Sequence, residues 1–145
     1  MNCNCDKVAQ IRYKAPYILA KGHNTGSGYD MRTVWDMEIY PGHTLKVETG
    51  VYLELPKGFE AQVRPKSGLS SQGLLVHFGT VDEDYRGQVL VTVTNLTGKT
   101  IYLDEEQKVA QLVFVRKDMT ILKSVKEIDT DTTRGTGGFG STGRF

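Results

Sequence analysis

TLKVETGVYLEL, running from Thr44 to Leu55, decides the fold class. Leu45, Val47, Val51, Leu53 and Leu55 all occupy odd positions, while Lys46, Glu48, Tyr52 and Glu54 occupy even ones. Apolar residues with a period of two line one face of a β-strand, and no 3.6-residue helical stripe fits the same stretch. The pattern recurs outward. FEAQV sets Phe59, Ala61 and Val63 on one face, and GQVLVTVTNL alternates Val89, Val91 and Val93 against Thr92 and Thr94. KVAQLVFV is apolar on both faces, as a strand covered on both sides must be. Pro41-Gly42, Pro56-Lys57-Gly58 and Thr97-Gly98 punctuate these runs as turns. The one helical exception is SGLSSQGL, where Ser67 is placed to cap a two-turn helix. Many short strands with a single short helix predict an all-β sandwich or jelly-roll-like barrel.

The chain has 145 residues, enough for one domain with a real core. Its net charge of +1 provides no field to recruit nucleic acid or a membrane surface. No apolar run reaches the roughly 20 residues of a membrane span, and the N-terminus lacks a signal-peptide core. Cys3 and Cys5 are the only cysteines, too close together to staple a fold and without partner ligands for zinc. They are read as reduced and incidental in a cytoplasmic protein. The pattern divides into a β body over residues 1–131 and a glycine-rich tail over residues 132–145, TTRGTGGFGSTGRF. That tail has too little apolar surface to pack alone and is expected to be flexible.

Five stretches carry residues that a fold alone does not require. GSGYDMR leads through glycines to Asp30, a position where an aspartate is ordinarily a turn cap. VRPKSGLSSQG places Arg64 and Lys66 around a proline, followed by Ser67 and Gly68. Those residues suit either a phosphate site or a solvated loop with a capping serine. GTVDEDYRG crowds Asp82, Glu83 and Asp84 at a turn before Tyr85. Asp82 follows apolar Val81, so burial is expected to tune it as a base. Gln111 interrupts the apolar run of KVAQLVFV and needs a hydrogen-bond partner, whether core or ligand. In the tail, Arg134 offers a planar fork for phosphate, Ser141 and Thr142 offer hydroxyls, and Phe139 offers a face for a base.

In order and approximate spacing, these five stretches resemble the five motifs of the homotrimeric deoxyuridine triphosphate nucleotidohydrolases, the dUTPases. The likeness extends from Gly26 to Gly143. It implies a jelly-roll-like distorted β-barrel, a homotrimer with sites shared between subunits, and magnesium-dependent hydrolysis of dUTP to dUMP and pyrophosphate. That reaction limits uracil incorporation into DNA and supplies dUMP for thymidylate synthesis. The resemblance casts Asp82 as general base, Tyr85 as the ring beneath the deoxyribose, and Asp30 as a water-mediated contact to Mg²⁺. It casts Ser67 and Gly68, with Gln111, as the phosphate cradle, Lys66 as a further phosphate contact, and Arg64 as a substrate-binding residue beside them. Arg134 falls to the γ-phosphate, Phe139 to the uracil ring, and Gly138, Gly140 and Ser141 to the closing tail.

Two departures stand out. The family's usual PRSG reads PKSG here, so Lys66 keeps the charge but loses the bidentate fork. The segment before Asp82 reads LLVHFGTVD without the asparagine many members carry, so uracil reading falls to backbone groups of a hairpin at Val76–Gly79, with His77 structural. Two other readings remain. A dCTP deaminase relative would need a carboxylate where VLVTVTN carries Thr92 and Thr94. A dUTPase-like protein with an added regulatory partner would use exposed residues such as Trp35 and Tyr40.

Overall fold

The period-two runs do form strands, and every strand pair is antiparallel. In the computed structural model, which describes residues 8–143, eleven strands and one short helix are assigned among the described residues. The strands are β1 (Arg12–Lys14), β2 (Tyr29–Arg32), β3 (Met37–Ile39), β4 (Thr44–Glu48), β5 (Tyr52–Glu54) and β6 (Phe59–Arg64). After helix α1 (Ser67–Ser71) come β7 (Leu74–Val76), β8 (Gly79–Val81), β9 (Leu90–Asn95), β10 (Ile101–Leu103) and β11 (Lys108–Arg116). Cys3 and Cys5 lie outside the described residues.

A four-stranded sheet in the order β2-β11-β6-β8 and a three-stranded sheet in the order β4-β9-β7 make up most of the body. The pairs β1-β5 and β3-β10 complete it, so the jelly-roll-like arrangement is built from separate sheets and does not close into a barrel. The inward faces of both larger sheets meet in a single core. Met31, Ala61, Val63, Val81 and Leu112 come from the first, and Val47, Leu74, Val76, Val91 and Val93 from the second. Removing a side chain the size of Leu74 or Leu112 from water contributes about 1.5–3 kcal/mol.

Strand β11 lies between β2 and β6, and Val109, Ala110, Leu112 and Val113 are all buried. That burial on both faces is why this run shows no alternation. The turns fall where Pro and Gly placed them, with Gly42 and Gly58 at φ of +73° and +84°, a region that glycine enters without steric cost. Among the described residues, no helix is long and apolar enough to cross a membrane.

Two local expectations need correction. The helix has five residues, not two turns, and Lys66 rather than Ser67 occupies its N-cap, with no side-chain capping bond. Ser67 is already inside the helix, because the extended backbone ends at Lys66 and the chain coils one residue earlier than a Ser67 cap would place it. The hairpin expected at Val76–Gly79 is also absent. β7 pairs with β9 and β8 pairs with β6, so His77 and Phe78 form a corner at which the chain changes sheets.

Candidate active site

Strand pairing brings three of the five stretches side by side. Gln111 on β11 lies opposite Asp30 on β2 and also opposite Arg64 on β6, so Asp30, Gln111 and Arg64 form a row across three adjacent strands. Gln111 fits this row because residue 28 is glycine. A Cβ at Gly28 would stand 2.5 Å from the Gln111 Oε1, closer than two such atoms can approach. The half-buried amide finds its partner in the loop: Nε2 donates to the carbonyl of Pro65 at 3.3 Å. That bond ties the fourth stretch to the second.

Asp30 is buried, 5% exposed, and each of its carboxylate oxygens meets an ammonium. Lys66 Nζ lies 2.5 Å from Oδ1 and Lys108 Nζ lies 2.8 Å from Oδ2. Burial alone would push this carboxyl up, but hydrogen bonds from Lys108 and then Lys66 outweigh it and hold Asp30 below the usual aspartate range. A carboxyl depressed in the folded state stabilises the fold fully above its unfolded pKa, about 3.9. That contribution is lost as pH falls through the lower folded value. Acid unfolding curves should therefore show Asp30→Asn with a shallower loss of stability than the parent below about pH 4. Parallel curves would remove Asp30 from the acid response.

The sequence reading missed Lys108, and the reason is a β-bulge. Lys108 and Gln111 are three residues apart, which in a regular strand puts them on opposite faces. Here the register shifts between Lys108 and Ala110, with Lys108 opposite Arg32 and Ala110 opposite Met31. The extra residue, Val109, reverses the alternation and turns Lys108 to the face that carries Gln111 and Asp30.

Arg64 is exposed, and its guanidinium folds back along its own strand. Nε and Nη2 donate to Gln62 Oε1 at 3.1 and 2.6 Å. Beyond Lys66, a Cβ added at Gly68 would meet nothing within 4 Å, so the start of α1 borders open space beside Ser67.

The third stretch lies at the far edge of the same sheet. Asp82 and Tyr85 line one cavity of about 230 Å³, together with Val63, Gly79, Thr80, Val81, Gln88, Val89 and Leu90. Asp82 is exposed rather than buried. β8 ends at Val81, whose side chain turns into the core, and the next residue of the alternation faces solvent. The Tyr85 hydroxyl donates to the carbonyl of Gln88 at 2.9 Å, holding the ring over Gly87. Neighbouring Glu83 serves the scaffold, accepting from the Gly58 N–H at 2.7 Å and pairing with Lys117 at 3.1 Å. The Gly58 bond, reinforced by Lys117, holds its carboxyl below the usual range. His77 Nε2 is hydrogen-bonded to Thr94 Oγ1 at 2.8 Å. Thr94 also bonds Thr44 at 2.6 Å, so a bonded hydroxyl, not a carboxylate, stands at this position.

Among the described residues, the fifth stretch makes no hydrogen bond or ion pair to either cluster. Local turns hold the tail: Arg134 Nε donates to the Gly137 carbonyl at 2.8 Å, and the Ser141 and Gly143 amides donate three residues back. Phe139 is fully exposed, as are Met119, Ile121 and Leu122 in the segment leading to it. Arg134, Gly138, Phe139, Gly140 and Ser141 are thus in place on a strap that leaves its own body.

Among the described residues, no group of three or more His, Cys, Asp or Glu could cage a metal. A single buried carboxylate such as Asp30 suits a cation like Mg²⁺ that parts reluctantly with water and takes few protein ligands.

The family model described as dUTPase matches residues 16–143. The deoxyuridine 5'-triphosphate nucleotidohydrolase of Gloeothece citriformis is 42% identical over 142 residues, covering 94% of this chain and 95% of that protein. The enzyme of the same name from Chlamydia trachomatis is 41% identical over 122 residues, 81% of this chain and 84% of its own. In three dimensions, a Gly-to-Ser mutant dUTPase of Staphylococcus bacteriophage 80alpha with dUpNHpp superposes with a TM-score of 0.85. It does so at 22% identity, covering 94% of this chain and all of that one, which is a likeness of fold. An Asp-to-Asn mutant dUTPase of phage phi11 of S. aureus, whose structure shows a coordinated structural Mg(II) ion, gives a TM-score of 0.76 at 22% identity, covering 82% of this chain and 98% of that one.

Proposed function

Because this chain belongs to the dUTPase family and hydrolyses dUTP, we propose that Asp82 is its general base and that the Asp30–Gln111–Arg64 row marks its triphosphate site. The observation that carries this assignment is that row, with Lys66 and Ser67 beside it, on the sheet whose edge strand leads to Asp82. Asp82 takes a proton from water as its oxygen bonds the α-phosphorus. The bond to the bridging oxygen breaks, and dUMP and pyrophosphate separate. An exposed carboxylate at a cavity wall is open to the water it must activate.

Tyr85, held over Gly87 by its own hydroxyl bond, packs beneath the deoxyribose and leaves no space for a 2'-hydroxyl. Lys66, Ser67, the Gly68 amide, Arg64 and Gln111 hold phosphate oxygens. Asp30, through water, and the substrate phosphates would hold Mg²⁺, which would neutralise phosphate charge.

The assembly is a homotrimer in which one chain's tail closes another chain's site. The support is that Arg134 and Phe139 sit on a segment whose hydrogen bonds, among the described residues, stay within it, and which exposes Met119, Ile121 and Leu122 ahead of them. Once closed, Arg134 pairs with the γ-phosphate and Phe139 stacks on uracil, excluding bulk water from the reacting centre.

The test of the reaction is hydrolysis in ¹⁸O-labelled water followed by phosphorus NMR. Label in dUMP, with unlabelled pyrophosphate and no orthophosphate, is the expected result. Label in pyrophosphate places the attack at the β-phosphorus and removes Asp82 from the proposed geometry.

A further inference from the structure

Asp30 has two carboxylate oxygens and two ammonium partners, one more cation than its charge requires. Lys66 and Lys108 sit on different oxygens, at 2.5 and 2.8 Å, and converge on one buried group. The two lysines differ in what carries them. Lys66 lies in the loop ahead of α1, next to Ser67 and the open space at Gly68. Lys108 lies in β11 at a bulge anchored by Val109, which is fully buried. One ammonium is free to follow its loop, and the other is held by the strand.

We propose that Lys108 is a positioning residue for dUTP hydrolysis, the fixed counter-ion of Asp30 that releases Lys66 to the triphosphate. This rests on the placement of phosphate at Lys66 and Ser67 given above. A polyanion arriving there draws Lys66 away from Asp30. With Lys108 still on Oδ2, the buried carboxylate keeps a counter-ion during that transfer. Without Lys108, moving Lys66 would strand a charge that is 5% exposed, so Lys66 stays with Asp30 and the phosphate loses a contact. The identity of residue 66 makes the second lysine necessary. An arginine fork can serve a carboxylate and a phosphate at once, whereas a lysine ammonium is a compact point charge.

The experiment uses the full chain and inorganic triphosphate as probe, titrated by calorimetry with EDTA present, alongside steady-state kinetics on dUTP with magnesium. Lys108→Gln should weaken triphosphate binding by about tenfold, the size of one modest charge contact. The KM for dUTP should rise in step, with kcat changed by less than about threefold, since chemistry at Asp82 is untouched. Lys108→Arg, which restores a cation at the bulge, should recover both. In an Asp30→Asn background Lys66 has no charge to abandon, so adding Lys108→Gln should leave triphosphate affinity unchanged. That non-additivity separates positioning from general loss of fold or of positive charge. Lys108→Met, also neutral, takes the place of Lys108→Gln if the glutamine variant melts early.

Equal triphosphate affinity in the parent and both neutral variants overturns the role of Lys108. So does a loss that persists undiminished in the Asp30→Asn background. If the parent itself binds no triphosphate, the phosphate site at Lys66 falls, and the role of Lys108 falls with it.

Discussion

Asp82→Asn should slow dUTP hydrolysis by about 10²–10⁴-fold, the ordinary range for loss of a general base. Folding and nucleotide binding should survive. The Asp82 side chain is exposed, and its carboxylate has no hydrogen-bond or ion-pair partner among the described residues. Asparagine preserves its shape and removes only the ability to accept a proton as an ionised base. Single-turnover kinetics with a thermal melt alongside are sufficient to check this. A rate within about threefold of the parent would dismiss Asp82 from proton transfer. Asp84 would then be the carboxylate to examine, because Glu83 is occupied by the Gly58 amide and Lys117.

Removing Arg134 to Phe145 should abolish most turnover and leave the fold intact. The described part of that segment contributes nothing to the hydrophobic core. It carries Arg134, proposed above to pair with the γ-phosphate, and Phe139, proposed to stack on the base, and aromatic stacking of that kind is worth about 1–3 kcal/mol. Mixing shows whose site the tail serves. Truncated chains and Asp82→Asn chains are each inactive, yet unfolding and refolding them together creates sites that draw Asp82 from one and the tail from the other. With equal random assortment in a closed ring, roughly a quarter of sites regain both parts. Recovery well above the sum of the parents is the expected result. Trimers confirmed by light scattering that show no recovery would mean each tail folds back onto its own body.

The strands were legible because burial on one face leaves a mark every second residue. Val47, Val51, Leu53, Val91 and Val93 alternate in the chain and all face the core. The turns were legible because Gly42 and Gly58 adopt positive φ, which few other residues tolerate. Which strands pair was not legible. β7 and β8 are separated by two residues and still enter different sheets, a choice made by the partners β9 and β6 and not by the connection. The length of α1 was also misjudged, since Gln72 caps it and Gly73, at a φ of +85°, turns the chain away directly after.

The site divides in the same way. Asp30, Arg64, Lys66, Ser67, Gln111 and Asp82 announce themselves as polar residues that break apolar or glycine-rich patterns, so the sequence by itself determined the residue types and the chemistry they can perform. Only the tertiary structure decided which of them meet. Asp30 and Gln111 are distant in the chain and become neighbours through the register of β11 against β2, set by the buried side chains around them. Asp82 lies outside the core because β8 ends one residue earlier. Lys108 joins Asp30 because a single extra residue in the strand reverses which face each later side chain occupies. A bulge adds no composition and breaks no periodicity strongly enough to be read in the chain, since it exists only as a mismatch between two paired strands.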